Sequence, residues 1–193
     1  MESEPAAAGP DSPSLAPGLL IAVPQLVDGN FHRSVVFLIE QSEEGAFGVV
    51  INRPSEIMVG ELLSNLGIGF EGAPDGRVLI GGPVSPDRGL VLHRDGGMND
   101  DAREVADSLW ISATPSSLKR LFGHSGGPAA LCFAGYAGWG PGQLEQELEQ
   151  GAWIPAPFDE TLLFSDDRGA IWERALRGLG IDPTQIVPGG SVN

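Results

Sequence analysis

Two apolar, β-branched runs separated by only four residues restrict this fold more than any other feature. Val35–Gln41 and Ala46–Asn52 flank Ser42-Glu43-Glu44-Gly45, a spacing that predicts an antiparallel hairpin with a four-residue connection. Pairing the runs also determines which chain ends meet. Arg33-Ser34 opens the first run, and Asn52-Arg53-Pro54 closes the second. The chain must therefore build a sheet in which these polar ends lie side by side.

The flanking sequence supplies more strands and several helices. Gly18–Leu26 reads as a strand interrupted near Pro24, and Val78–Ile80, Leu90–His93, Ser108–Ala113 and Ala129–Tyr136 read as further strands. Gly81-Gly82-Pro83-Val84-Ser85-Pro86 reads as a turn-rich connection. Helical patterns span Val59–Leu66, stopped by Gly67, and Gln143–Gln150. Thr114-Pro115 supplies an N-cap and first helical residue for a helix running to Phe122 and ending at Gly123. A last helix runs from about Asp167 to Leu179, with Ile171, Trp172, Ala175, Leu176 and Leu179 on one face. Hairpins mixed with crossover helices imply a mixed sheet with helices packed around it, in one α+β domain.

Charge narrows the partners. The 193 residues carry 26 acids against 11 bases, a net charge of −15. Residues 1–17 hold three of the acids (Glu2, Glu4, Asp11), no base and four prolines, and read as a disordered, acidic, Pro/Ala-rich tail. The domain proper, 18–193, keeps 23 acids against 11 bases, or −12. Nonspecific nucleic-acid binding needs clustered Lys and Arg, and this chain has one lysine, Lys119, among scattered arginines. Anionic membrane surfaces are disfavoured for the same reason. The N-terminus lacks the basic start and apolar run of a secretory signal, and no apolar run reaches about 18 residues. Cys132 is the sole cysteine, so no intramolecular disulfide forms, and its apolar neighbours predict a buried thiol. The expected location is cytoplasmic.

Several motifs tempt and then fail. Gly123-His124-Ser125-Gly126-Gly127 matches G-x-S-x-G, yet a helix precedes it, a strand follows it, and no histidine lies after Ser125. Gly138-Trp139-Gly140-Pro141-Gly142 sits between strand and helix like a phosphate loop. Its spacing would require glycine where Gln143 stands, and Glu145 and Glu147 would repel a phosphate there. His32, His93 and His124 have no metal-ligand spacing, and Asn99-Asp100-Asp101 reads as solvated loop charge. No cofactor and no metal are expected.

The strand ends are more informative. Arg33 and Arg53, brought close by the hairpin, form a candidate bidentate clamp for a small anion; alternatively each arginine pairs with a local carboxylate such as Asp28 or Glu56. His93 ends another strand as a candidate proton donor or acceptor. Trp139 is a candidate crevice or partner-surface residue, whereas Trp153 and Trp172 read as core anchors. Glu145, Glu147 and Glu149 read as the wet face of their helix.

In order along the chain, PGLLIAVPQL, DGNFHRSVVFLIE, GAFGVVINRP, GGPVSPDRGLVLH, FAGYAGWGPGQLEQEL and GAWI resemble the bacterial AlgH/YqgE family. The resemblance runs from Pro17 to about Ile186. It implies a single domain with a bifurcated mixed sheet, part of it curled into a small barrel, surrounded by helices. It carries a transcriptional-regulator label but no assigned catalytic residue. The residues matching its motifs include Arg33, Ser34, Asn52, Arg53, Gly82, Arg88, His93, Trp139 and Gln143, the candidate ligand-binding set. Two departures stand out: Asp28-Gly29-Asn30-Phe31 replaces the usual Asp-Pro-Asn-Phe, and Gln41-Ser42 replaces a histidine in the first hairpin. The expectation is a regulatory or binding role through a protein or small-anion partner. The alternative is an enzyme assembled from Arg33, Ser34, Asn52, Arg53 and His93.

Overall fold

Both faces of the central strands are buried, which explains why their sequences are nearly continuous apolar runs. The computed structural model describes residues 14–70, 76–95, 101–122 and 130–183. In chain order the elements are β1 (Gly18–Ala22), β2 (Val35–Ser42), β3 (Gly45–Val50), β4 (Pro54–Met58) and α1 (Val59–Asn65). Next come β5 (Arg77–Ile80), β6 (Val84–His93), β7 (Arg103–Ala106), β8 (Leu109–Ser112) and α2 (Pro115–Phe122). The chain continues through β9 (Ala130–Trp139), α3 (Gln143–Glu149), β10 (Trp153–Pro157), α4 (Glu160–Leu163) and α5 (Ile171–Gly178).

The strands pair in the order β10-β1-β2-β3-β9-β6-β8-β7, with β4 joined to β5 and β5 to β9. Every pairing is antiparallel except β5 with β9. Alternation along β1 sends Leu19 and Ile21 into one core with α5, and Leu20 and Ala22 into a second core with α3. A third core packs α1 and α2 against Val78, Val91 and Cys132. The sheet is curled and bordered by five α-helices among the described residues, an α+β domain as the hairpins and helices implied.

The bifurcation lies along one edge of β9. Ala137, Gly138 and Trp139 pair with β3, whereas Phe133 and Ala134 pair with β5. Gly81 spans the fork: its amide donates to the Ala134 carbonyl at 2.9 Å, and its carbonyl accepts from the Val50 amide at 2.8 Å. Gly82 and Gly135 adopt φ of 153° and 69°, and a Cβ on Gly82 would sit 2.2 Å from the Tyr136 carbonyl carbon. Only glycine combines that conformation with so close a backbone approach.

The structure modifies several sequence expectations. The hairpin connection is two residues, Glu43-Glu44, because Ser42 and Gly45 are themselves paired. Val84-Ser85-Pro86 belongs to β6, which is bulged between Val84 and Gly89, and is no free turn. Strands β4, β7 and β10 lie at sheet edges and were not anticipated, since an edge strand need not bury both faces and so lacks an apolar run. The last helix opens with a 3-10 turn at Arg168–Ala170, where the Asp167 carboxylate accepts from the Ala170 amide at 3.2 Å. Residues 1–13 of the expected tail lie outside the described residues, while Leu15 and Ala16 pack against the second core.

Candidate functional site

The hairpin brings the two polar strand ends together, as its pairing requires. Asn52 Oδ1 accepts from the Val35 amide at 2.9 Å, and Asn52 Nδ2 donates to the Arg33 carbonyl at 2.9 Å. Ser34, fully buried, donates its hydroxyl to the Phe31 carbonyl at 2.8 Å. Arg53 donates to the carbonyls of Gly29 and His32, each at 3.3 Å, and to that of Asn30. Arg33 adopts φ 51°, and its guanidinium lies 5.1 Å from the Trp172 ring centroid. The two guanidiniums are thus committed to different parts of the chain. Neither pairs with the carboxylates considered from sequence: Asp28 accepts from the Asn30 and Phe31 amides, and Glu56 pairs with Arg77 at 3.3 Å.

Sequence reading missed Arg168. It reaches back from the 3-10 turn and donates to the carbonyls of Leu163 at 2.6 Å and Ile51 at 3.3 Å, beside the same hairpin end. Burial lowers its pKa, opposed by the charge of Asp166. Its sequence neighbourhood gives no sign of this contact, which joins residues 117 positions apart.

A second cluster surrounds Glu147. One carboxylate oxygen accepts from the indole nitrogens of both Trp139, at 2.9 Å, and Trp153, at 2.7 Å. The other oxygen accepts from Gln143 Nε2 at 2.9 Å, and Gln143 Oε1 in turn accepts from the Gly140 amide at 3.0 Å. Phe31 stacks on Trp139 with centroids 6.3 Å apart and meets Trp153 edge-on at 5.4 Å. Trp139 is the last residue of β9 and is buried. Glu147 is half-buried and organises this cluster, which corrects its reading as part of a wet face. Gln41, at the hairpin position of the family histidine, bridges the Leu15 amide and Glu145.

The third cluster lies at the far end of β6. His93 Nε2 is 2.9 Å from Ser112 Oγ, and the two residues are 0% and 2% exposed. Burial lowers the His93 pKa; Asp95 opposes this and Arg120 adds to it. Arg120 itself pairs with Asp95. Nearby, Asp101 accepts from Ser117 Oγ at 3.0 Å, from Thr114 Oγ1 at 2.9 Å and from the Ala113 amide at 3.4 Å, tying down the start of α2. Desolvation raises the Asp101 pKa, but these hydrogen bonds outweigh it and hold the carboxyl below its usual range. Asp101 is therefore a structural cap; Asn99 and Asp100 lie outside the described residues.

Ser34 and His93, grouped in the enzymatic alternative, have separate partners: Ser34 Oγ donates to the Phe31 carbonyl and His93 Nε2 meets Ser112 Oγ, and β3 and β9 stand between β2 and β6 in the sheet. Gly82 serves the fork described above. Arg88 is exposed on the bulged part of β6. Burial pushes the Cys132 thiol up to about 12, so it stays protonated and inert. Gly123-His124-Ser125-Gly126-Gly127 lies outside the described residues. Among the described residues, no three His, Cys, Asp or Glu side chains are grouped to hold a metal, and no helix is long and apolar enough to cross a membrane.

Comparison with known proteins places this geometry among relatives. A family described as AlgH-like matches residues 19–184. A UPF0301 protein of Myxococcus xanthus is 42% identical over 182 residues, covering 93% of this chain and 99% of its own length. The solution structure of the AlgH protein from Pseudomonas aeruginosa is similar with a TM-score of 0.71 and 32% identity, covering 96% of this chain and all of that one. The crystal structure of a Corynebacterium diphtheriae protein is similar with a TM-score of 0.66 and 28% identity, covering 89% and 90% of the two chains.

Proposed function

This chain belongs to the AlgH-like family, and on that premise we propose that it is a cytoplasmic, non-catalytic binding protein whose partner is another protein. Any regulatory effect passes through that partner, without direct DNA contact. The observation that carries this reading is the engagement of Arg53. A free guanidinium clamp would serve a small anion, whereas Arg53 already donates to three loop carbonyls. Arg33 lies over Trp172, Ser34 and Asn52 hold backbone, and Gln143 holds Glu147. The net charge of −15 opposes DNA.

In-cell crosslinking followed by affinity purification tests this reading, alongside a low-salt DNA mobility-shift titration. A stoichiometric protein complex without a DNA shift is expected. A salt-sensitive shift at micromolar protein would overturn it. An enzymatic reading is favoured only by the hydrogen bond between His93 and Ser112. A covalent fluorophosphonate adduct on Ser112 of the folded protein would establish that reading in place of ours.

A further inference from the structure

We propose that Arg33 anchors the protein-docking surface by taking one carboxylate side chain of the partner; this rests on the binding-protein reading above. Five of the ten arginines lie in ion pairs with carboxylates: Arg77, Arg94, Arg103, Arg120 and Arg177. Arg33 is exposed, and its guanidinium makes no hydrogen bond or ion pair among the described residues. That group is nevertheless held in place, 5.1 Å from the centroid of the buried Trp172 ring, whose indole nitrogen donates to the Ala22 carbonyl at 2.8 Å. A cation–π contact fixes a guanidinium and consumes none of its N–H donors.

The backbone beneath it is equally constrained. Arg33 adopts φ 51°, a left-handed conformation that costs energy in a residue with a side chain and persists only where neighbouring contacts impose it. Here Asn52 Nδ2 holds the Arg33 carbonyl, the Ser34 amide donates to the Phe31 carbonyl at 3.0 Å, and Arg53 holds the His32 carbonyl. A guanidinium ordered before binding gives up little entropy on forming a charge-assisted, bidentate pair. Charge selects a carboxylate. Arg53 and Arg168 hold carbonyls of this strand end, and Arg174, two residues beyond Trp172 on α5, donates to the Ser165 hydroxyl. Those acceptors are neutral and leave the positive charges in place. Of the carboxylates on these segments, Asp28 and Asp167 accept from backbone amides, and Asp166 offsets Arg168. A polyanion would meet the chain's net charge of −15, whereas one carboxylate on an otherwise neutral segment does not.

The test titrates the ¹⁵N-labelled full chain with a capped heptapeptide holding one glutamate among alanine and serine, and with its glutamine counterpart. Shifts of the Arg33 Nε–H and Trp172 indole signals are expected with the glutamate peptide only. Affinity should fall about tenfold in Arg33→Gly, the loss of one charge-assisted pair, and about threefold in Arg33→Lys, which keeps the charge without the fork. Glycine accepts φ 51° without strain, so Arg33→Gly keeps the backbone, and its melting temperature verifies the fold. Arg88→Gln, which removes an exposed charge from the β6 bulge, should leave affinity unchanged. Absence of shifts with the glutamate peptide, undiminished binding by Arg33→Gly, or an equal loss in Arg88→Gln would overturn the proposal. So would acetate binding as tightly as the peptide, since the site would then serve a small anion. Self-association that Arg33→Gly abolishes would overturn it too, because the occupant would then be a second copy. A crosslinked partner retained in full by Arg33→Gly would refute this surface while leaving the binding-protein reading standing. The Ser112 adduct or a DNA shift would refute that reading itself.

Discussion

His93 Nε2 and Ser112 Oγ meet diagonally across the β6–β8 pair, 2.9 Å apart and sealed from solvent. Neither residue signals the other in the sequence, and it is the burial of His93 that makes the fold sensitive to acid. Burial lowers the folded-state pKa of His93 from 6.5, so the unfolded chain binds a proton that the folded chain refuses. Stability from this group is complete above about 6.5 and is lost as pH falls towards the lowered folded value.

Urea midpoints measured between pH 5 and 7.5 should therefore decline on the acid side, and His93→Gln should flatten that part of the profile. Ser112→Ala should cost about 1–3 kcal/mol at pH 7.5, because it leaves a buried imidazole nitrogen without its partner.

Glu147→Ala should lower stability by about 2–5 kcal/mol, since two buried indole N–H groups lose one shared acceptor. Glu147→Gln keeps an oxygen and should lose less. Tryptophan emission, followed through urea unfolding, reads both the midpoint and the change in indole surroundings.

Arg53→Ala should cost about 1.5–3 kcal/mol and speed amide exchange across residues 28–34, the loop in which it holds the Gly29, Asn30 and His32 carbonyls. Arg53→Lys should rescue this only in part, because an ammonium lacks the planar fork that reaches three carbonyls. A variant whose exchange in that loop is unchanged would refute the bracing role.

Gly82→Ala places a Cβ 2.2 Å from the Tyr136 backbone. The backbone at the sheet fork would have to separate, a cost above about 3 kcal/mol. Thermal unfolding should show a large loss. Gly29→Ala, where no atom lies within 4 Å of the added carbon, should change little.

Local patterns determined a good deal about this protein. Continuous apolar, β-branched runs placed β2 and β3, apolar spacing placed α1, and the apolar face of α5 named Ile171, Trp172, Ala175 and Leu176 as core, whereas Leu179 lies past the helix end and is exposed. Those signals are carried by residues close together in the chain, as is the hairpin contact that joins Asn52 to Arg33. The chain's motifs also sufficed for the family resemblance that the comparisons bear out.

What only the tertiary structure decided is which polar groups are already spoken for. Arg53 looks free in sequence and is spent on a loop; Glu147 looks solvated and holds two tryptophans. Arg168 reaches Ile51 across 117 positions, and Gly82 proves to be a packing requirement at the fork. A side chain's hydrogen-bonding partner depends on which strands become neighbours, and that is settled by the packing of the whole sheet. Composition gave the sign of the chain's charge, and the sheet order decided which strands became edges.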